Sequence, residues 1–225
     1  MDAISRGWGG TTTGRPMGGC SGAGNTDRYG CWKSASADIA ARWVATHYWP
    51  GALFFPFGRI VAGDIVPKLQ LTGGVRHVRQ IDQSSESDLS QLCRDDGPFD
   101  IIIDDGSHFN AHQIFTFERI FSALNDNGRY VIEDVQTSFW HGEVMGTVWD
   151  GAAISDPMFE NSCYSYFLNL AKYINHAEFI DRTGADPYLI DLGRQIVRIT
   201  FEHNMIVVEK GDNTEVSTLA ASVSR

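Results

Sequence analysis

Two strand-like stretches of the chain run directly into side chains that can hold a metal or move a proton. The stretch "FDIII" leads to Asp105 and His108, and "GRYVI" leads to Glu133 and Asp134. Runs rich in β-branched and aromatic residues are typical of buried strands. In an open parallel sheet, ligands bind where the carboxyl ends of the strands meet, so the sequence predicts one site built from these four residues.

Three carboxylates at such a point would repel one another unless a cation lay among them. Neighbouring parallel strands are about 4.8 Å apart, so Asp105, Glu133 and Asp134 can converge. Oxygen ligands with room for water and substrate suit Mg²⁺, with Mn²⁺ a close substitute. The structural alternative is that Asp105 or Ser107 caps the helix predicted from Asn110.

His108 is the candidate general base of this site. An imidazole has a pKa near working pH, and a metal beside it lowers the pKa of a bound hydroxyl. The alternative is a surface or capping histidine. His112 lies one helical turn further along the chain and fits either a supporting position or the edge of the core.

Four strands and their connections indicate a doubly wound, parallel α/β sheet. The strands are "GRIVAGDI", "VRHVRQ", "FDIII" and "GRYVIED", the last preceded by the turn "NDNG", and residues 110–124 have the apolar face of a helix. Polar residues follow each strand, beginning with Asp64, whose carboxylate could accept hydrogen bonds from a ribose. The others that follow these strands, besides the metal candidates, are Asp82, Gln83 and Asp104.

The remaining segments fall outside this sheet pattern or close it. Residues 1–33 are glycine-rich and predicted to be flexible, 34–213 form the α/β domain with a first helix over 34–49, and 214–225 are a flexible tail. Residues 165–180 are predicted to be a helix. "QIVRITFEHNMIVVEKG" then predicts an antiparallel hairpin that turns at His203 and Asn204.

The composition favours one domain and excludes strongly anionic partners. The 225 residues are 43% hydrophobic and 20% charged, which suffices for one buried core. A formal net charge of -10 opposes binding to nucleic acid or to an anionic membrane. Without a membrane-length apolar run or a signal-peptide pattern, we expect a cytoplasmic protein. The cysteines form no CxxC pair and are predicted to be reduced thiols: Cys20, Cys31, Cys93 and Cys163.

Residues 97–140, "GPFDIIIDDGSHFNAHQIFTFERIFSALNDNGRYVIEDVQTSFW", resemble the metal-dependent sugar O-methyltransferases of macrolide antibiotic biosynthesis, the mycinamicin and macrocin O-methyltransferase group. The resemblance extends upstream through "GRIVAGDIVPK" and "IDQSSESDL" and downstream to "FEHNMIVVEKGDN", so it covers residues 55–213. The combined motif, with its spacing from DDGSH to IED, is highly specific.

This resemblance implies a Rossmann-like class I S-adenosylmethionine fold with a C-terminal antiparallel hairpin. It also implies Mg²⁺-dependent methyl transfer to a hydroxyl of a glycosylated or polyketide-like small molecule, and a homo-oligomer of unknown stoichiometry. By matching motif positions, Asp64 would hold the ribose of S-adenosylmethionine, and Asp82 and Gln83 would lie along the adenine, with Asp104 on the cofactor side. The implied metal ligands and base are Asp105, Glu133, Asp134 and His108.

The sequence departs from the family at the first strand and its glycine-rich loop, which should precede Gly58. Three interpretations remain open. Residues 39–45 form a degenerate version of the strand, the sheet lacks its central strand, or the amino-terminal segment is a faulty translation of the locus. This departure supports one alternative to the enzyme, a catalytically silent homologue acting as a binding or assembly subunit. A second alternative is a cephalosporin-hydroxylase-like protein, which shares a DGxH-type motif but has different chemistry.

Overall fold

The computed structural model describes residues 58–66 and 77–217. The predicted helix over 34–49, the glycine-rich segment 1–33, Cys20 and Cys31 lie outside the described residues, as does the tail from 218 onward. Residues 214–217 contain no helix or strand. Cys93 and Cys163 are both free thiols, as predicted. No helix in the described part of the chain is both long enough and apolar enough to span a membrane.

The described residues contain a mixed set of strands and helices. The strands are β1 Val61–Asp64, β2 His77–Gln80, β3 Phe99–Asp104, β4 Leu124–Glu133, β5 His141–Val144, β6 Thr147–Asp150, β7 Ile196–Glu202 and β8 Met205–Lys210. The α-helices are α1 Glu86–Asp96, α2 Asn110–Ile120, α3 Cys163–Tyr173 and α4 Pro187–Gly193.

These strands form three sheets. β1 pairs with β2 in parallel, β3, β4, β8 and β7 form a second sheet, and β5 and β6 form an antiparallel hairpin. In the second sheet β3 and β4 are parallel, whereas β8 and β7 run antiparallel, which confirms the predicted C-terminal hairpin. No strand within 58–66 and 77–217 takes the place between β1 and β3 that the resemblance assigns to the first strand.

An aromatic cluster fixes α2 against the second sheet and against α3. Phe117 of α2 is fully buried, and its ring centroid lies 5.2 Å from that of Tyr130 on β4 and 4.8 Å from that of Phe167 on α3. Such edge-on aromatic pairs add about 0.5–1.5 kcal/mol each beyond their burial. The helix that follows the "DDGSH" segment is therefore held rigidly on the strand that ends at Glu133.

Helix α1 is tied to the first sheet at its carboxyl end. Ser85 caps its amino terminus by accepting a hydrogen bond from the Asp88 amide. At its other end, the buried carboxylate of Asp96 pairs with Arg59 and with Arg79 of β2. The pairing of a buried carboxylate with two guanidinium groups holds α1 in place and so fixes the loop that carries Asp82 and Gln83.

The structure corrects several predicted boundaries. The helix predicted over 110–124 ends at Ile120 and continues as the 3₁₀ turn Phe121–Ala123, and the helix predicted over 165–180 occupies Cys163–Tyr173. The predicted turn "NDNG" lies inside β4, where the register with β3 shifts. Gly128 permits this shift because a Cβ there would meet the Asp100 carbonyl oxygen at 2.9 Å.

Candidate active site

The "DDGSH" segment leaves β3 in a tight turn that ends in a strained backbone conformation. His108 has a φ of 59°, a left-handed conformation that costs a non-glycine residue energy and is kept only where its surroundings fix it. Asp134, which follows β4, has a φ of 54°. The two candidate functional residues at the carboxyl ends of β3 and β4 thus share an unusual backbone geometry.

The structure brings Asp105, His108 and Asp134 together. The His108 Nε2 atom lies 3.8 Å from an Asp105 carboxylate oxygen and 3.4 Å from an Asp134 carboxylate oxygen. One ligand atom from each residue lies within 4.8 Å of the other two, so the three side chains could hold one metal ion. Glu133 is the last residue of β4, and among the described residues it is not a member of this cluster.

Three consecutive polar residues after Asp134 donate hydrogen bonds to groups in the segments that follow β3 and β4. The Gln136 side-chain amide donates to an Asp134 carboxylate oxygen at 3.0 Å, and the Thr137 hydroxyl donates to the His108 carbonyl oxygen at 2.7 Å. The Ser138 hydroxyl donates to the Asn110 side-chain oxygen at 2.7 Å. The sequence analysis missed all three residues, because no motif marks a polar residue that supports a neighbouring loop.

Helix α2 is capped by a residue far along the chain. Asp150 of β6 accepts hydrogen bonds from the Asn110 amide at 3.0 Å and the Ala111 amide at 3.1 Å. The N-cap residue of α2 is Phe109, which provides no side-chain hydrogen bond. The proposed capping role of Asp105 or Ser107 is therefore wrong. The β5–β6 hairpin therefore supplies the cap of α2.

Gln83 links the first sheet to the turn after β3. Its side-chain amide donates to both Asp104 carboxylate oxygens, at 2.7 and 2.9 Å, and its oxygen accepts from the Ser107 amide at 2.9 Å. A Cβ at Gly106 would meet the Gln83 oxygen at 2.3 Å, so a side chain at this position would displace the Gln83 amide. The structure thus brings together two residues that the sequence assigned to the cofactor side.

Asp104 is completely buried at the centre of this network. The Tyr130 hydroxyl donates to the Asp104 carboxylate at 3.4 Å, in addition to the bonds from Gln83. Burial raises the pKa of the Asp104 carboxyl to about 7, although the hydrogen bonds from Gln83, the Gly106 amide and Tyr130 lower it. Burial and the adjacent Asp104 carboxyl also raise the pKa of the Tyr130 hydroxyl. Any contribution of Asp104 to cofactor binding would therefore act through Gln83.

We expect Asp104→Asn to weaken the pH dependence of folding stability. The Asp104 carboxyl has a pKa of about 7 when folded and about 4 when unfolded. The folded chain therefore binds the proton more tightly, and stability is lost as pH rises between these values, by up to about 4 kcal/mol. Urea denaturation of the chelator-treated protein at pH 5 and pH 8 measures the part of this loss that falls between those pH values, about 2.6 kcal/mol. Equal losses in the wild type and the variant would contradict the prediction.

Asp64 and Asp82 lie at the carboxyl ends of the paired strands β1 and β2. Asp64 is buried, and its carboxylate accepts from the Val66 amide at 2.8 Å. Asp82 follows β2, and hydrogen bonds from the Ser84 hydroxyl and amide lower the pKa of its carboxyl. The structure places both carboxylates at one edge of this small sheet, as the strand pattern predicts.

Aromatic rings surround the amino terminus of α2. The Phe109 ring centroid lies 5.4 Å from Trp149 of β6, and Trp149 lies 5.5 Å from Trp140. Phe109 also contacts His112, whose Nδ1 atom lies 2.8 Å from the Ser107 hydroxyl. Because Phe109 directly follows His108, this aromatic group borders the cluster of Asp105, His108 and Asp134. His112 supports the turn through its contact with Ser107.

Comparisons with known proteins match the resemblance seen in the sequence. The chain is 37% identical over 166 residues to the mycinamicin VI 2''-O-methyltransferase of Micromonospora griseorubida. The match covers 72% of this chain and 38% of that protein. Over most of its own length the chain is therefore similar to this O-methyltransferase. It is also 33% identical over 161 residues to the 8-demethyl-8-alpha-L-rhamnosyl tetracenomycin-C 2'-O-methyltransferase of Streptomyces olivaceus, covering 72% of the chain and 40% of that protein.

The fold comparison gives the same result. The MycE methyltransferase from the mycinamycin biosynthetic pathway, solved in complex with Mg and SAH, aligns with a TM-score of 0.65 and 32% identity over 80% of this chain and 47% of its own. This match confirms the class I methyltransferase fold. No protein-family model matches the chain. The chain spans about two fifths of the length of the curated relatives it matches.

Proposed function

We propose that the protein is an S-adenosylmethionine-dependent, Mg²⁺-dependent O-methyltransferase that acts on a hydroxyl of a glycosylated or polyketide-like small molecule. The observation that carries the proposal is the convergence of Asp105, His108 and Asp134 at the carboxyl ends of β3 and β4. Sugar O-methyltransferases are the relatives that the chain matches at more than 30% identity. A cytoplasmic location and a homo-oligomer remain predictions.

The donor set fits a divalent cation. The His108 Nε2 atom lies 3.8 Å from an Asp105 carboxylate oxygen and 3.4 Å from an Asp134 carboxylate oxygen, and one ion with bonds of about 2.1 Å spans ligand atoms up to about 4.2 Å apart. Since Mg²⁺ prefers oxygen, we assign Asp105 and Asp134 to the metal, with Glu133 as a third ligand from the end of β4. When bound, Mg²⁺ would supply positive charge that favours the ionised form of the acceptor hydroxyl.

His108 would then act on the proton of the acceptor. Its Nε2 atom lies within 3.8 Å of both carboxylates, so it would stand beside an acceptor oxygen held by the same metal. The acceptor oxygen forms a bond to the methyl carbon as the bond from that carbon to sulfur breaks, and the proton leaves on His108. Most of the rate acceleration comes from positioning, because a sulfonium methyl group is already activated.

The cofactor would lie across the ends of β1 and β2. We assign Asp64 to the ribose hydroxyls and Asp82 with Gln83 to the adenine side. Gln83 contacts both Asp104 and the turn that leads to His108. It therefore connects the carboxyl ends of β1 and β2 to the candidate metal site. Because an oriented carboxylate accepts hydrogen bonds from both ribose hydroxyls, Asp64 would fix the position of the ribose.

Methyl transfer from radiolabelled S-adenosylmethionine tests the proposal directly. The full chain is incubated with the labelled donor, a demethylated macrolide glycoside and either Mg²⁺ or a chelator, and the label in the extracted glycoside is counted. We expect transfer with Mg²⁺ and none with the chelator. Binding of metal without any transfer across a panel of macrolide and polyketide glycosides would instead favour the silent homologue. No described residue forms a glycine-rich strand and loop, which keeps that alternative in the test.

Trp149 is the residue we expect to contact the sugar of the acceptor. Its indole packs on Phe109 beside His108, and aromatic rings are common linings of small-molecule sites. Trp149→Leu should raise the KM for the acceptor about tenfold, equivalent to about 1.4 kcal/mol, with the KM for S-adenosylmethionine unchanged. Phe159→Leu serves as the control because Phe159 packs in a separate group with Phe139. Equal acceptor KM values for Trp149→Leu and the wild type would contradict this role.

A further inference from the structure

Thr137 contacts the backbone of both strained residues in the cluster. Its hydroxyl lies 2.7 Å from the His108 carbonyl oxygen and 3.1 Å from the Asp134 carbonyl oxygen. A hydroxyl has a single proton to donate, so the shorter contact, to His108, takes most of the hydrogen bond. Thr137 is only 1% exposed, which keeps water from competing for either carbonyl.

We infer that the Thr137 hydroxyl is a positioning group that sets the separation between the turn carrying Asp105 and His108 and the Asp134 carboxylate. His108 and Asp134 follow different strands, and each has a left-handed backbone at φ values of 59° and 54°. Such conformations persist where surrounding contacts over-determine them. Thr137 lies in the 3₁₀ turn Val135–Phe139, which begins directly after Asp134, so its bond to His108 ties one strained turn to the other.

Contacts of neighbouring residues hold Thr137 in place, so its hydrogen bond to the His108 carbonyl oxygen is rigid. Ser138 bonds the Asn110 side chain, whose oxygen also accepts from the buried Cys163 amide at 2.8 Å. Gly151 allows the hairpin end to lie against the same turn, since a Cβ there would meet the Thr137 carbonyl oxygen at 2.2 Å. Thr137 therefore cannot shift to follow His108, and removal of its hydroxyl would release the turn that carries both His108 and the assigned metal ligand Asp105.

The test is the dissociation constant for Mn²⁺, measured by electron paramagnetic resonance on the full chain. This inference rests on the metal site of the proposed function, but the readout does not require methyl transfer. Thr137→Val removes the hydroxyl and keeps the shape, and groups that orient metal ligands contribute about 10- to 100-fold in affinity. We expect Thr137→Val to weaken Mn²⁺ binding by that factor and Thr137→Ser to restore it.

Thr116→Val is the matched control. Thr116 is also completely buried, and its hydroxyl has no hydrogen-bond partner in the described part of the chain, so the same substitution there should leave Mn²⁺ affinity unchanged. Melting temperatures of all variants separate a loss of stability from a loss of metal binding. Should Thr137→Val not fold, Thr137→Ser and Thr137→Ala replace it, with only the alanine variant expected to bind weakly.

The possible outcomes distinguish this inference from the proposed function. Wild-type Mn²⁺ affinity in Thr137→Val, or equal weakening in Thr137→Ser, would overturn the positioning role. A wild-type protein that binds no Mn²⁺ would overturn the metal site and this role together. Mn²⁺ binding without methyl transfer would contradict the proposed activity alone, and the role of Thr137 would still be decided by the variants. If transfer is observed, Thr137→Val should lower kcat without raising the KM for S-adenosylmethionine.

Discussion

Replacing His108 by glutamine is expected to lower kcat about 100- to 10,000-fold, the range that general acid–base catalysis contributes. Glutamine keeps a polar side chain of similar reach but cannot accept and hold the proton of the acceptor hydroxyl. The measurement is the steady-state rate of methyl transfer at saturating donor and acceptor. We expect the KM for S-adenosylmethionine to remain within about twofold, equivalent to about 0.4 kcal/mol.

The Mn²⁺ affinity of the same variant decides between two roles for His108. If His108 is the base, His108→Gln binds Mn²⁺ nearly as well as the wild type, whereas a histidine that ligates the metal would lose affinity together with rate. His203→Gln is the control, since His203 lies exposed at the β7–β8 turn. Wild-type rates in His108→Gln would remove His108 from the mechanism.

Asp134→Asn is expected to abolish metal-dependent methyl transfer and to weaken Mn²⁺ binding by at least about 100-fold. The loss of a charged ligand should exceed the 10- to 100-fold effect of a group that only supports a ligand. An amide keeps the hydrogen bond from Gln136 available, so the turn after β4 is preserved while the charge is lost. Calorimetric titration with Mn²⁺ and the methyl-transfer assay measure the two effects.

The control for this substitution is a carboxylate on another element. Asp191 lies exposed on α4, where its carboxylate pairs with the Arg194 side chain, so Asp191→Asn should bind metal and transfer methyl groups like the wild type. Metal affinity in Asp134→Asn equal to that of the wild type would contradict the assignment of Asp134. Metal-independent methyl transfer by the wild type would contradict the metal's role altogether.

The sequence predicts those site residues that lie in short contiguous motifs. "DDGSH" and "IED" each follow a strand whose apolar pattern is clear, so the convergence of Asp105, His108 and Asp134 follows from the rule that parallel strands present their carboxyl ends together. The β7–β8 hairpin was predictable for a similar reason, because two alternating runs flank one short turn. A local sequence pattern was sufficient to predict these features because each one lies within a short segment of the chain.

Residues that support the site could not be found in this way. Thr137 is 29 residues from His108, and Asp150 is 40 residues from Asn110, so nothing in a local pattern relates them. The burial of Asp104 was also missed, because a strand-end aspartate next to another has the same sequence pattern whether it faces solvent or the core. Glu133 remains a predicted ligand, since it precedes Asp134 in the motif but lies outside the cluster among the described residues.

Calorimetric titration of the full chain with S-adenosylmethionine, with and without Mg²⁺, tests whether the protein binds the methyl donor that the proposed activity requires. We predict binding with a dissociation constant in the micromolar range, equivalent to about -8 kcal/mol. The Asp64→Asn variant should bind more weakly, since it loses one charged acceptor for the ribose hydroxyls. Absence of binding in a sample shown to be folded would contradict the account, because the metal cluster would then have no methyl donor to act with.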